Sequence, residues 1–456
     1  MECEWDPFDA AAHESPYEIW RTLRDESPIY NNERYGFYAL SRFADVERAH
    51  RDPATYISSH GTVLELIGAE PIPTGMMIFK DPPEHTRLRS MVSRAFTPRR
   101  VTELEPRVRA ICRTLLARGV DGEEFDFVAD FGALLPSMVI CELLGVPEAD
   151  RDWTRRTIDK TFHIEPGVGM INDVAFAAQI EMHEFLGGLL KERRDRPGDD
   201  LLSALTQHEL THQECADFAN LLVSAGTETV AKLLGWAAVV LAAHPDQRSE
   251  LAADPGLGAN AVEELLRYEA PSPVQGRWTT ADVSLHGTTI PAGSKVLLLT
   301  GSAGRDERTY SDADRFDIHR QFDQHLSLGF GIHFCIGAAL ARLEGRVAIA
   351  EALAHQPDWV VAGARARRVH TGRVLRTALA CDVDGDRTAT GPSIRARSMA
   401  GPRRGAAAGA SRWSARAAQS SPRTIHRAMP TRTRFPRAPR PFAGGRSRRP
   451  PRGCRT

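Results

Sequence analysis

The run from Thr211 to Ala243 constrains this chain more than any other. Thr211-His212-Gln213-Glu214 has the S/T-x-x-E form in which two side chains reciprocally satisfy the free amides of a helix start. His244-Pro245 ends the run, because proline has no amide hydrogen to continue the ladder. At 1.5 Å per residue such a helix is roughly 48 Å long, enough to cross a whole domain, so the other elements must be arranged around it. Its middle, Ser224-Ala225-Gly226-Thr227-Glu228-Thr229, is small and polar between apolar flanks. Such a segment serves either close packing against a second helix or a chemical purpose, and the helix alone does not choose between them.

Composition sets the outer limits. A chain of 456 residues with 42% hydrophobic and 26% charged residues can bury a sizeable core without disulfides. No stretch approaches eighteen consecutive apolar residues, and the N-terminal MECEWDPFDAAAHESPYEIW is acidic and mixed, so neither a membrane anchor nor a secretory signal is expected. The seven cysteines include no C-x-x-C pair, which argues against a disulfide framework or zinc knuckle and for a reducing cytoplasm. The net charge of -1 conceals two unlike pieces. From Cys381 onward 18 Arg stand against 3 Asp, about +15, which leaves about -16 for the body.

Residues 1–380 read as one domain, mainly α (α+β). Helical periodicity dominates, while alternating stretches near Tyr35–Leu40, Val283–Ile290 and Lys295–Thr300 predict a smaller strand component. Residues 381–456 consist largely of Arg, Ala, Pro, Ser and Gly, cannot bury enough apolar surface to offset their ordering entropy, and are predicted disordered. Only five residues of the chain are Lys, which suggests a GC-rich coding sequence. Such DNA read out of frame yields Arg, Ala, Pro and Gly, so the expectation is a frameshift between Gly372 and Cys381. An Arg-rich nucleic-acid arm is the weaker alternative.

The chemistry concentrates at Leu328-Gly329-Phe330-Gly331-Ile332-His333-Phe334-Cys335-Ile336-Gly337. Two glycines give a tight loop, and the pattern from Ala338 to Glu344 opens a helix. Cys335 thus precedes a helix N-terminus, where free amides and the dipole favour a thiolate, a soft ligand suited to iron. The ten residues together resemble the haem-binding signature of the cytochrome P450 family, F-G-x-G-x-H-x-C-x-G, with Leu328 in place of the first Phe. The resemblance extends from about Asp6 to about Val374. It implies that family's helix-rich fold, with a small sheet region around a buried haem b (iron protoporphyrin IX). It also implies Cys335 as the axial iron ligand, His333 as a propionate contact and Gly337 as room for the macrocycle.

Other stretches match in order. Glu264-Leu265-Leu266-Arg267 is similar to the family's E-x-x-R, and Ala313-Asp314-Arg315-Phe316 to its later meander. By resemblance Glu264, Arg267 and Arg315 form a buried charge cluster that fixes the haem loop. Ala303-Gly304-Arg305-Asp306 departs from the family's A-N-R-D, and Gly304 is expected to loosen that turn. His85 and Arg89, four apart on one helix face, can converge on one carboxylate, and with Arg277 they match propionate-binding positions.

The middle of the long helix now takes a chemical meaning. Ala225-Gly226-Thr227-Glu228-Thr229 is similar to the family's A/G-G-x-[DE]-T. By resemblance Ala225 and Gly226 leave room for dioxygen, Thr229 hydrogen-bonds it, and Glu228 relays protons from solvent. Leu221, Ala225 and Val274 are expected to line an apolar substrate pocket. The reading is a cytoplasmic haem-thiolate monooxygenase, a monomer that hydroxylates a hydrophobic small molecule with O2. Its electrons come from a separate ferredoxin or flavodoxin with its reductase, and Arg94, Arg99, Arg100 and Arg342 are candidates for their docking. Three alternatives stand beside it: a peroxygenase, a haem protein with impaired or no turnover because of the altered C-terminus, and, most distant, a nucleic-acid-binding protein.

Overall fold

The long helix forms over His212–Ala243, and its start carries the reciprocal cap: Glu214 N–H donates to Thr211 Oγ1 at 3.2 Å while Thr211 N–H donates to Glu214 Oε2 at 2.8 Å. In the computed structural model the described residues are 4–9, 15–119, 125–163, 165, 171–359, 361, 369–371 and 374–376. The Arg-rich segment 381–456 lies outside them. Around the long helix pack the helices Asp173–Asp195, Leu134–Leu144 and Ala338–His355. Leu222, Val223, Val230 and Leu234 are buried at these contacts in one apolar cluster with Leu135, Leu186 and Val347. Both His212–Ala243 and the stretch Phe127–Leu144 are, by length and composition alone, long and apolar enough to cross a membrane. About half of each is buried inside the protein, which is how core helices reach that hydropathy.

The sheet stands to one side. Strands β1 (Ile29–Asn32), β2 (Phe37–Leu40), β3 (Tyr56–Ile57), β4 (Gln275–Thr279) and β7 (Lys295–Leu298) form one sheet in the order β1-β2-β7-β4-β3. Only β2 and β7 run parallel. Strands β5 (Val283–Leu285) and β6 (Thr288–Ile290) make a hairpin whose two turn residues, His286 and Gly287, both have positive φ, the backbone a tight primed turn demands. The backbone also pairs β8 (Val369–Thr371) with β9 (Val374–Arg376), so strand structure reaches the point where the sequence pattern fades.

One buried group in the helix Ala338–His355 has a measurable consequence. Glu344 is 1% exposed, its Oε2 has no hydrogen-bond partner, and burial pushes its carboxyl up to about 8. The folded carboxyl therefore keeps its proton through neutral pH, whereas the unfolded one releases it near about 4.3. Between those values the folded state binds more protons, so stability falls as pH rises through that window, by up to about 1.4 kcal/mol per pH unit. Glu344→Gln is neutral throughout and should remove the slope. Melting temperatures of both proteins from pH 5 to 8 check this, and parallel curves would refute it.

Candidate active site

The loop ahead of Cys335 is shaped by its glycines. Gly329 and Gly331 have φ of 71° and 68°, and a β-carbon on Gly331 would lie 2.4 Å from the His50 carbonyl oxygen. Only glycine fits that approach. Cys335 N–H then closes the loop on the Leu328 carbonyl at 2.8 Å.

Behind this loop sits a fully buried ion pair. Arg267 grips Glu264 with two bonds of 2.7 Å, and both side chains are 0% exposed. The same guanidinium donates to the carbonyls of Gly304 (2.6 Å), Ala313 (2.8 Å) and Arg315 (3.2 Å). Two expectations are corrected here. The Arg315 side chain is exposed, and the second arginine on Glu264 is Arg320, whose Nε stands 3.2 Å from Oε1. Arg315 contributes its backbone carbonyl instead, because the chain turns its side chain outward at that point. Nor does Gly304 loosen its turn. A β-carbon there would lie 2.4 Å from the Arg267 carbonyl oxygen, so the glycine admits a close approach that seats Arg267.

Cys335 and Thr229 line one cavity of about 330 Å³, together with Leu221, Ala225, Val274 and Leu328. Arg89, Arg277 and His333 also reach its wall. Burial pushes the Cys335 thiol above its ordinary range, outweighing the Gly337 amide, Arg89 and Arg342, which all favour the thiolate. The helix start alone therefore does not ionise this sulfur, and a cation on Sγ is what would hold it as a thiolate. Gly226 is not among the residues lining the cavity, and a β-carbon on it would meet Ile140 Cδ1 at 3.7 Å, an ordinary contact, so packing there does not demand a glycine. Glu228 is not among the lining residues and stands 3.4 Å from Lys232 Nζ, itself 3% exposed. Thr229 Oγ1 donates to the Ala225 carbonyl at 2.8 Å.

The polar groups around the cavity test whether a porphyrin fits. Arg277 is 5% exposed, donates to the Gly276 carbonyl at 2.7 Å, and has no ion pair among the described residues. Burial brings it down to about 10. His85 is 1% exposed with neither ring nitrogen partnered, and it lies 4.2 Å from the His333 ring, whose Nε2 is also unpartnered. Burial, then Arg277, His85, Arg89 and His50, hold His333 down at about 2. Arg89 donates to the Phe334 carbonyl at 2.6 Å. His50, which sequence reasoning missed, is buried with both nitrogens unpartnered and is held to about 3 by burial and Arg277. Two arginines without a carboxylate partner and three histidines with unpartnered nitrogens are thus gathered among the described residues, and the two carboxylates of a haem would satisfy them. No motif marks His50; the only hint was a histidine in the apolar pattern of the helix Phe43–Arg51.

The proposed basic patch is largely neutralised. Arg342 pairs with Glu263 through bonds of 2.6 and 2.8 Å, Arg99 with Glu103 at 2.8 Å, and Arg100 approaches Asp199 at 4.0 Å. Arg94 is exposed.

Comparison with known proteins agrees with this geometry. A family model described as cytochrome P450 matches residues 258–355, which hold both the Glu264–Arg267 pair and Cys335. A putative cytochrome P450 123 of Mycobacterium tuberculosis is 41% identical over 377 residues, covering 81% of this chain and 94% of that protein. A vitamin D(3) 25-hydroxylase of Pseudonocardia autotrophica is 40% identical, covering 78% and 90%. Among solved structures, the open form of cytochrome P450 EryK from S. erythraea superposes with a TM-score of 0.73 at 35% identity, covering 82% of this chain and 99% of that one. With a lone cysteine and the acid–alcohol helix meeting at one cavity, and relatives matched over nearly their whole length, this chain belongs to the cytochrome P450 family, the haem-thiolate monooxygenases.

Proposed function

We propose that Cys335 holds the haem iron, that His85, Arg89, Arg277, His333 and also His50 bind its propionates, and that Glu228 and Thr229 manage the protons of oxygen reduction. One observation carries the reading: Thr229 and Cys335, from two separate elements, face the same cavity. Haem bound there supplies the activation of O2 and the insertion of one oxygen atom into a C–H bond. Thr229 holds its hydroxyl at the cavity wall, where the oxygen can still accept a hydrogen bond while its own proton is given to Ala225. In this reading Glu228, one residue away and 3.4 Å from Lys232 Nζ, carries protons towards that hydroxyl. The mainly apolar lining, with Phe218, Leu221, Leu222 and Val274, excludes water and selects a hydrophobic small molecule. Hydroxylation is the reaction assigned, as in the relative named a vitamin D(3) 25-hydroxylase.

The same reading takes residues 1–380 as the haem domain and 381–456 as an out-of-frame addition. It places the protein in the cytoplasm as a monomer served by a ferredoxin or flavodoxin and its reductase.

Substitution at the acid–alcohol pair tests the proposal. A panel of apolar compounds is first screened for a spectral change on binding. With the best of them, Thr229→Ala should keep consuming NADH while releasing hydrogen peroxide in place of most product. Glu228→Gln should slow turnover on the order of 10²-fold. Unchanged coupling in the first, or an unchanged rate in the second, would count against these roles. Product formed equally well from added peroxide by the parent and both variants, with no NADH-driven turnover, would favour a peroxygenase.

A further inference from the structure

A column of polar side chains lies between the long helix and the helix Asp173–Asp195, and the chemistry derived above makes no use of it. On the long helix Gln213, Asp217, Asn220, Ser224 and Glu228 follow at intervals of four, three, four and four, which keeps them along one face. Gln179 and His183, four apart on the neighbouring helix, meet them. His183 Nε2 lies 3.0 Å from Asp217 Oδ1, and Gln213 Nε2 lies 3.1 Å from both. Deeper in, Asn220 Nδ2 donates to Gln179 Oε1 at 3.1 Å, and Gln179 Nε2 donates to Ser224 Oγ at 3.3 Å.

Burial increases from the outer end of the column as far as Asn220, and Ser224 and Glu228 beyond it are part-buried. Gln213 is exposed and His183 partly so, whereas Asp217 and Asn220 are 7% and 2% exposed. Asn220 Oδ1 is buried without a partner. Flanked one turn earlier by the Asp217 carboxylate and one turn later by the Ser224 hydroxyl, that oxygen is a seat for a bound water. Ser224 stands one turn before Glu228. Ordinary helix packing needs no such run, because each polar group must be matched to avoid its desolvation cost.

We propose that this column is the route by which protons pass from solvent to Glu228, entering at His183 and Asp217 and continuing through water at Asn220 and the Ser224 hydroxyl. The inference rests on Glu228 as the proton carrier. Each step moves one proton between nitrogen and oxygen, or between two oxygens, and leaves its donor to be reprotonated from the outer side. No electron moves along it.

The test uses haem-loaded protein with a ferredoxin and its reductase, following NADH-driven oxygen uptake against consumption of added hydrogen peroxide. Carbon-monoxide spectra confirm that every variant keeps its haem. Asp217→Asn keeps the shape but cannot carry the proton. It should slow oxygen uptake on the order of tenfold and enlarge the solvent isotope effect. Peroxide arrives with its own protons, so its consumption should stay at the parent rate. Ser224→Ala should act likewise, and neither change should add to Glu228→Gln in a double variant. A crystal structure should show water on Asn220 Oδ1. Equal slowing of both reactions, an unchanged isotope effect, additive losses or no water there would overturn the route with the role of Glu228 intact. A Glu228→Gln protein that matches the parent in rate and isotope effect would overturn both.

Discussion

Cys335→Ala abolishes the thiolate signature of the reduced, carbon-monoxide-bound absorption spectrum and removes NADH-driven turnover. The loss should far exceed the roughly 10–100-fold that removing an outer partner of a metal ligand costs. Three features of the structure make the sulfur irreplaceable. It lies at the wall of the cavity that Thr229 also lines. It receives a favourable contribution from the Gly337 amide and from Arg89 and Arg342. It is also the one cysteine among those described as free that keeps partial exposure, since Cys112, Cys141 and Cys215 are buried. Burial pushes those three up to about 12, 12 and 11, which suits inert core thiols. Cys335→His should retain haem while changing the spectrum, separating ligation from folding. A Cys335→Ala protein that kept the parent spectrum would dismantle the assignment of the iron ligand.

The legible part of this molecule was what local chemistry specifies. The cap at Thr211 and the stop at His244-Pro245 depend on a few adjacent residues, and the helix has those ends. Strand β2, the β5–β6 hairpin and β7 follow from short alternations. Strands β1, β3 and β4 did not announce themselves. Gln275–Thr279 becomes a strand because β7 and β3 flank it, a condition no local pattern records. The site shows the same division. Cys335, Thr229, Ala225 and Leu221 reach one cavity because the motif and the long helix carry them there, and Val274 joins them from the approach to β4. Arg315 was misplaced because its neighbours match a pattern while the loop's path turns Arg320 towards Glu264 instead. His50 was invisible, since its significance depends on Arg277 and His333 arriving beside it from distant parts of the chain.

Arg267→Ala should have the second large effect. It leaves Glu264 charged and 0% exposed with only Arg320 and the Asp317 amide for support. Breaking a buried pair in this way costs about 3–5 kcal/mol. It also frees the carbonyls of Gly304 and Ala313, so haem content should fall together with the urea midpoint. Arg267→Lys should rescue little, because a point charge cannot serve Glu264 and three carbonyls as the planar fork does. The double replacement Glu264→Leu with Arg267→Met should be less damaging than Arg267→Ala alone, since it removes the fully buried carboxylate together with its partner, while Arg320 keeps the carbonyls of Ser311, Asp312 and Arg315. Urea unfolding and haem content measured on all four proteins check the order, and an Arg267→Ala protein with full haem and parent stability would contradict it.

The Arg267 fork also has a bearing on how the protein becomes complete. Its bonds are satisfied only when strands of chain around 264, 304, 313 and 315 have all arrived. Glu264 shares the helix of Arg267, but until the other segments arrive the guanidinium lacks its three carbonyl acceptors, a cost of about 1–3 kcal/mol for each buried bond left unmade. The latch therefore behaves as a coincidence detector: half-built versions of the pocket are scarce, and an incoming porphyrin meets either a finished seat or none.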